Sequence, residues 1–218
     1  MRIIIAGAGR LGTQIAQVLG GTGNRVTLLD QDDDRVAALG DRLPAEVLAG
    51  DACEPGVLED AGAHAADLVV ATTGDDEDNL VVSLLAKRQF KVPRVIARVN
   101  DDDNAWLFTQ HWGVDTAVPA AAPLVSLIEE ATSASDTVAL LRLSKAGVNV
   151  IETTIGQRSR AAGRTLGELA VPPGIVVAAV VRGGDPLTPA PDLELREGDE
   201  ILVLSHTATE GEVHAVFQ

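Results

Sequence analysis

Three glycines carry the strongest chemical signal in this chain. Gly7-Ala8-Gly9-Arg10-Leu11-Gly12 follows the apolar run Ile3–Ala6 and opens a segment with apolar positions at Leu11, Ile15, Val18 and Leu19. A strand, a G-x-G-x-x-G turn and an amphipathic helix in that order form the dinucleotide-binding fingerprint. One glycine serves the tight turn, one the close backbone approach to phosphate, and one the helix–strand packing. The helix N-terminus then offers unpaired N–H groups to an anion. Asp30 ends the next apolar run, Arg25–Leu29, 18 residues past Gly12, and is followed by Gln31. An acid there accepts ribose hydroxyls and repels a 2′-phosphate, which favours NAD over NADP. A glycine turn with no ligand is the plainer alternative, and the strand, helix and acid around it weigh against that.

Arg10 stands in the first helical turn, where a cation opposes the helix dipole at a cost of about 0.3–1 kcal/mol unless an anion is present. It either meets a phosphate or is a solvated arginine. Further polar residues fall at the ends of later strand-like runs: Gly50-Asp51-Ala52-Cys53, then Thr72-Thr73-Gly74 with Asn79 behind it, then Arg98. Ligands of open parallel sheets bind beyond the carboxyl ends of the strands. Asp51, Ala52 and Cys53 are therefore expected beside an adenine, and Thr72, Thr73, Gly74 and Asn79 toward the distal part of the ligand. Arg98 has two readings, a phosphate contact or an ion pair. Cys53 reads as a small pocket-lining hydrophobe.

The elements that must hold these residues alternate regularly. Strands are expected at Ile3–Ala6, Arg25–Leu29, Glu46–Ala49, Leu68–Ala71, Arg94–Val99 and Asp115–Val118. Helices are expected from Leu11, over Asp32–Arg42, Pro55–Ala61, Glu77–Phe90 and Asp101–Trp112, and over Pro123–Thr132. Short apolar strands between amphipathic helices imply an α/β fold, a Rossmann-type parallel sheet covered on both faces. Ser133–Asp136 has linker composition. Beyond it the strand-like runs Val138–Leu143, Val150–Ile155, Ile175–Val181 and Ile201–Leu204 surround short helical stretches at Thr165–Ala170 and Thr209–Phe217. That pattern is a smaller α+β domain. The expected domains are 1–134 and 135–218.

Composition excludes several classes. The 218 residues carry 17 Lys and Arg against 32 Asp and Glu, a net charge of −15. Nucleic acid is not an expected partner, because phosphate neutralisation needs local positive charge, and an anionic membrane surface is disfavoured too. Apolar runs fall far short of a membrane span, so a cytoplasmic location is the default expectation. The single cysteine precludes an internal disulfide, and the absence of tyrosine removes a Tyr-Lys reductase mechanism. The four histidines, His64, His111, His206 and His214, fall outside the crevice segments, and no metal-ligand spacing occurs. The acidic runs Asp32–Asp34, Asp75–Asp78 and Asp101–Asp103 sit where helices begin and read as caps. No catalytic constellation emerges, so a nucleotide sensor is favoured over a small NAD-dependent oxidoreductase.

The motifs together resemble the RCK (regulator of potassium conductance) family of the TrkA/KtrA type. The resemblance rests on Ile3–Gly12, Leu29-Asp30, Gly50-Asp51-Ala52, Asp67–Gly74 with Asn79-Leu80, Ala97–Asn100 and Gly113-Val114-Asp115 leading to Pro119. In the second block it rests on Ile151-Glu152, Ala162–Leu166, Arg182, Pro189 and Leu195–Asp199. It implies a cytoplasmic, non-enzymatic regulatory subunit peripheral to the membrane. Homodimers would assemble into an octameric ring beneath a membrane-embedded potassium channel or transporter. It implies an adenine nucleotide, NAD(H) or ATP/ADP, in the first domain, with Arg10 reaching a terminal phosphate. It also implies a second ligand for some members, cyclic di-AMP, here at Val177, Val180, Arg182, Thr188 and Pro189. An ordinary dimer-interface strand is the competing reading of that segment.

Overall fold

The computed structural model describes residues 1–218 except 133–134, 144–146 and 207. The chain divides into two compact units, Met1–Ala121 and Ala122–Gln218. The linker expected at Ser133–Asp136 lies partly outside the described residues.

The first unit contains strands β1 (Arg2–Ala6), β2 (Arg25–Asp30), β3 (Glu46–Ala49), β4 (Leu68–Ala71), β5 (Arg94–Val99) and β6 (Thr116–Pro119). They form one parallel sheet in the order β3-β2-β1-β4-β5-β6. Helices α1 (Arg10–Gly21), α2 (Asp33–Leu39), α3 (Pro55–Asp60) and α4 (Asp76–Arg88) connect them. The apolar runs read as two-sided strands, and the packing shows why. Ile3 and Ile5 join Val26, Leu28, Leu68 and Val70 on one face, with Ile15 and Leu19 of α1 and Leu39 of α2 packed against them. Ile4 and Ala6 join Leu29, Val69, Ala71, Val95 and Ala97 on the other, with Leu58 of α3 and Val82 and Ala86 of α4. Order reverses between β1 and β4, which opens a crevice at the carboxyl ends of the strands.

One expected helix is not α-helical. Asp101–Trp112 forms two 3₁₀ turns, Asp102–Leu107 and Gln110–Trp112, separated by an extended Thr109. Side-chain hydrogen bonds compete with the helical ladder here. Asp101 accepts from the Asp103 N–H at 3.0 Å, while the Asp76 carboxylate accepts from the Asn100 and Asp101 N–H groups and the Asn104 amide. The helix expected over Asp32–Arg42 likewise ends at Leu39 and passes into a 3₁₀ turn, Gly40–Arg42.

The second unit holds helix α5 (Ala122–Thr132) and an antiparallel sheet. Its strands are β7 (Thr137–Leu143), β8 (Val148–Thr154), β9 (Ile175–Arg182), β10 (Asp185–Leu187) and β11 (Glu200–Ser205), in the order β10-β9-β11-β8-β7. Helix α6 (Glu210–Phe217) closes it, capped by Thr209 and Glu212 in a capping box. Ile151, Ile155, Val180, Leu195, Ile201, Val203, Val213 and Phe217 form the core. On α5, Leu124, Val125, Leu127 and Ile128 are exposed, Ile128 at 63%. Among the described residues no helix is long and apolar enough to cross a membrane.

Candidate functional site

A cavity of about 530 Å³ opens at the carboxyl ends of the first unit's strands. Each wall follows from local chain chemistry. After β1, Gly7 takes φ +98°, a conformation that strains any residue with a Cβ. Its N–H donates to Leu29 O at 2.8 Å, which turns the chain back over the sheet. Gly9 then stands at the N-cap of α1 without a side-chain cap, and no acid occupies the first turn. The N–H groups of the helix end therefore have no side-chain cap or first-turn acid beside them. A Cβ on Gly12 would lie 1.9 Å from Gly7 O and 2.9 Å from Thr72 Oγ1. That third glycine is needed for close packing of helix on turn, and it does not line the cavity.

Gly7, Gly9, Arg10, Leu11, Asp30, Gln31, Asp51, Ala52, Cys53, Thr72, Thr73, Gly74 and Arg98 all face this one cavity. Arg10 is exposed at its rim. The Arg98 Nε is buried and has no hydrogen-bond partner. A buried guanidinium N–H left unpaired is costly, so the geometry leaves a donor for an incoming acceptor. Of the two sequence readings of Arg98, the ion pair is not formed among the described residues.

Asn79 departs from its expected place. It is fully buried and does not line the cavity; its carboxamide accepts from Thr73 and donates to Arg98 O at 3.1 Å. It acts on the site through the two loops it joins. Thr72 is similarly spent, its hydroxyl donating to Ala6 O at 3.0 Å.

Asp30 is more committed than the sequence implies. Its carboxylate accepts from the Ala8 N–H at 2.6 Å, the Asp32 N–H at 3.0 Å and Arg35 Nη1 at 2.9 Å to each oxygen. Sequence reasoning missed Arg35, which lines the cavity beside it. The available signal was a lone cation closing the acidic run Asp32-Asp33-Asp34, five residues beyond Asp30. Asp75 and Asp78 also line the cavity and were read as helix-start charges. Of the three acidic runs, Asp32 and Asp101 cap through their side chains, whereas Asp75 does not. Asp76 does something else. Burial pushes its carboxyl up, but the donors from Asn100, Asn104 and Asp101 outweigh that and hold it below the usual carboxylate range. It anchors the chain leaving β5.

Cys53 packs against the cavity wall with its thiol 3.9 Å from Asp78 O. Burial, and then the charges of Asp78 and Asp51, push the thiol up to about 12. A thiol held that high is protonated at neutral pH. Among the described residues no cluster of His, Cys, Asp and Glu could hold a metal ion.

The second-ligand residues fare differently. Val180 is fully buried in the core of the second unit, and Val177 packs against that core. The exposed positions of β9 are Val176 and Ala178 instead. A bulge opposite Leu202 and Val203 shifts the alternation, so side-chain directions could not be counted from the sequence alone. Arg182 is spent on a bidentate pair with buried Asp199, 2.7 and 2.8 Å, and on Glu194 O. Thr188 is exposed and Pro189 half-buried, in the segment after β10.

Comparison with known proteins places this geometry in a family. Residues 3–120 match the TrkA-N domain model and residues 137–218 the TrkA-C domain model. The chain is 39% identical over 214 residues to the Trk system potassium uptake protein TrkA of Mycobacterium tuberculosis, covering 98% of this chain and 96% of that one. Among solved structures it superposes on the GsuK channel bound to NAD with a TM-score of 0.63. That likeness is at 17% identity, covering 99% of this chain and 39% of the channel chain. The GsuK structure bound to ADP matches at a TM-score of 0.52 and 28% identity, over 60% of this chain and 34% of that one. The chain therefore belongs to the TrkA family, a TrkA-N domain followed by a TrkA-C domain.

Proposed function

We propose that this protein is the adenine-nucleotide-sensing regulatory subunit of a bacterial potassium channel or transporter of the Trk/Ktr type. The observation that carries the reading is the cavity itself. It joins the uncapped N-terminus of α1, the buried acid Asp30, the exposed Arg10 and the unpartnered Arg98 Nε. The donors suit a diphosphate, and Asp30, once Arg35 leaves it, suits a ribose. The relatives' names supply the physiological setting, and a GsuK structure bound to ADP is among the similar ones.

The reading is non-catalytic. The cavity's titratable groups are carboxylates, arginines and a protonated thiol, and Thr72 and Asp30 already hold the loops around it. A nucleotide acts here by binding two assembly states unequally, since only differential affinity shifts such an equilibrium. The exposed apolar face of α5 supports self-association, with a homodimer as the unit of an octameric ring on the cytoplasmic face of the membrane. Arg10 favours a ligand with a terminal phosphate, ATP or ADP, within a site that also admits NAD(H). Cyclic di-AMP would have to use the exposed side of β9 and compete with Asp199 for Arg182.

Isothermal titration of the purified chain with ADP, ATP, NAD and NADH tests the site. Potassium flux through vesicles holding the membrane subunit, with and without this protein and nucleotide, tests the role. Micromolar binding together with nucleotide-dependent flux is expected. Failure of every nucleotide to bind would overturn the proposal.

A further inference from the structure

The Asp30 carboxylate is already full. A carboxylate offers about four lone-pair positions. Here Oδ2 accepts from the Ala8 N–H and Arg35 Nη1, and Oδ1 from the Asp32 N–H and Arg35 Nη1. A ribose diol needs two of those positions. The backbone donors belong to the turns after β1 and β2 and cannot leave without undoing them. Arg35 can leave. Its side chain is 47% exposed while that of Asp30 is 6% exposed. It rises from α2, a seven-residue helix with no buried residue, and its other nitrogen rests on Asp32 at 3.2 Å.

We infer that Arg35 is a specificity-determining residue that occupies the ribose subsite from within the chain and must be displaced by the diol of an incoming nucleotide. The inference rests on the nucleotide reading of this cavity. Arg35 thereby raises the ligand concentration at which the site fills. It also makes the free 2′- and 3′-hydroxyls the groups that open it, because two O–H donors replace the two contacts Arg35 gives up. An arginine beside a phosphate-bearing ligand is ordinarily an attractive contact, so this geometry predicts the opposite sign for its removal.

The test compares wild type with Arg35→Gln by isothermal titration, using ADP and 2′,3′-dideoxy-ADP. Removing a half-exposed ion pair of this kind should tighten ADP about two- to fivefold. Dideoxy-ADP, which has no hydroxyl for Asp30, should not gain. Arg35→Lys keeps the charge but offers no planar fork, so its gain for ADP should be smaller. That variant also guards against a folding defect in Arg35→Gln. If wild type binds ADP and both variants bind it equally or more weakly, competition is overturned and Arg35 is a ligand contact or a bystander. Equal tightening of ADP and dideoxy-ADP would overturn it too, since the diol would then be irrelevant. If neither wild type nor variant binds ADP at millimolar concentration, this inference falls, and the nucleotide reading falls with it only if ATP, NAD and NADH also fail to bind.

Discussion

The side-chain oxygen of Asn79 accepts from both the backbone N–H and the hydroxyl of Thr73, each at 2.9 Å. Its amide nitrogen donates to Arg98 O. One fully buried residue of α4 thus ties the loop after β4 to the end of β5, and both lie on the cavity wall. Asn79→Ala should leave those partners unsatisfied in the interior and cost about 2–3 kcal/mol of stability. It should also weaken ADP binding, although Asn79 touches no ligand. Urea denaturation and calorimetry check the two effects, and unchanged values for both would refute the positioning role.

Asp30→Ala should weaken NAD and ADP alike, because the ribose is common to both. Two charge-assisted hydrogen bonds to a free carboxylate are worth about 2–3 kcal/mol, and prior occupation by Arg35 reduces the expected loss to about 1–2 kcal/mol. The Ala8 N–H loses its partner as well, so thermal stability should fall in parallel. Equal affinities of wild type and variant would make Asp30 a turn-holding residue only.

Arg10 separates the nucleotides by phosphate number. If it meets a terminal phosphate, Arg10→Ala should weaken ATP more than ADP and ADP more than NAD. Competition binding at fixed ionic strength reads the ratios, since screening alters such contacts. An unmoved ATP/ADP ratio would make Arg10 a solvated side chain.

Two carboxylates tie stability to acid. Burial pushes Asp199 up, but the hydrogen bonds from Arg182 and the Arg196 N–H outweigh it, so like Asp76 it is held below the usual range. A lowered folded-state value stabilises the fold above the unfolded value of about 3.9 and loses that contribution as pH falls through the folded value. Wild-type stability should therefore hold from neutral pH to about 5 and decline below about 4. Asp76→Asn and Asp199→Asn should each lower stability at pH 7 and flatten the acid limb. Denaturant midpoints from pH 7 to pH 2 test this, and a wild-type-like slope in both variants would contradict it.

Helix α5 exposes Leu124, Val125, Leu127 and Ile128 on the isolated chain. A patch of this kind marks an interaction surface. Light scattering at micromolar concentration should show a dimer or larger assembly. Replacing Leu124 and Leu127 together by Lys should split it by placing charges in a dry interface. A monodisperse wild-type monomer would remove the ring and the mechanism that depends on it.

The amino-acid sequence by itself determined the order of the elements, the parallel sheet followed by a smaller sheet, and most of the cavity wall. Those features depend on short-range patterns. Short apolar runs such as Ile3–Ala6 and Leu68–Ala71, bounded by turn residues and amphipathic segments, read as doubly covered strands. A glycine at φ +98° and a glycine with a carbonyl 1.9 Å from its would-be Cβ can only be glycines. Tertiary structure decided how the polar side chains spend their hydrogen bonds. Asn79, Asp76, Arg35 and Arg182 find their partners up to 28 residues away along the chain. No period or spacing encodes which of several equivalent acids or amides will meet a given backbone N–H. Asp75 and Asp76 are neighbours of one type, yet one faces the cavity and the other is buried under the β5 turn. The sheet brings the strand ends together, and burial then requires each polar atom to be paired.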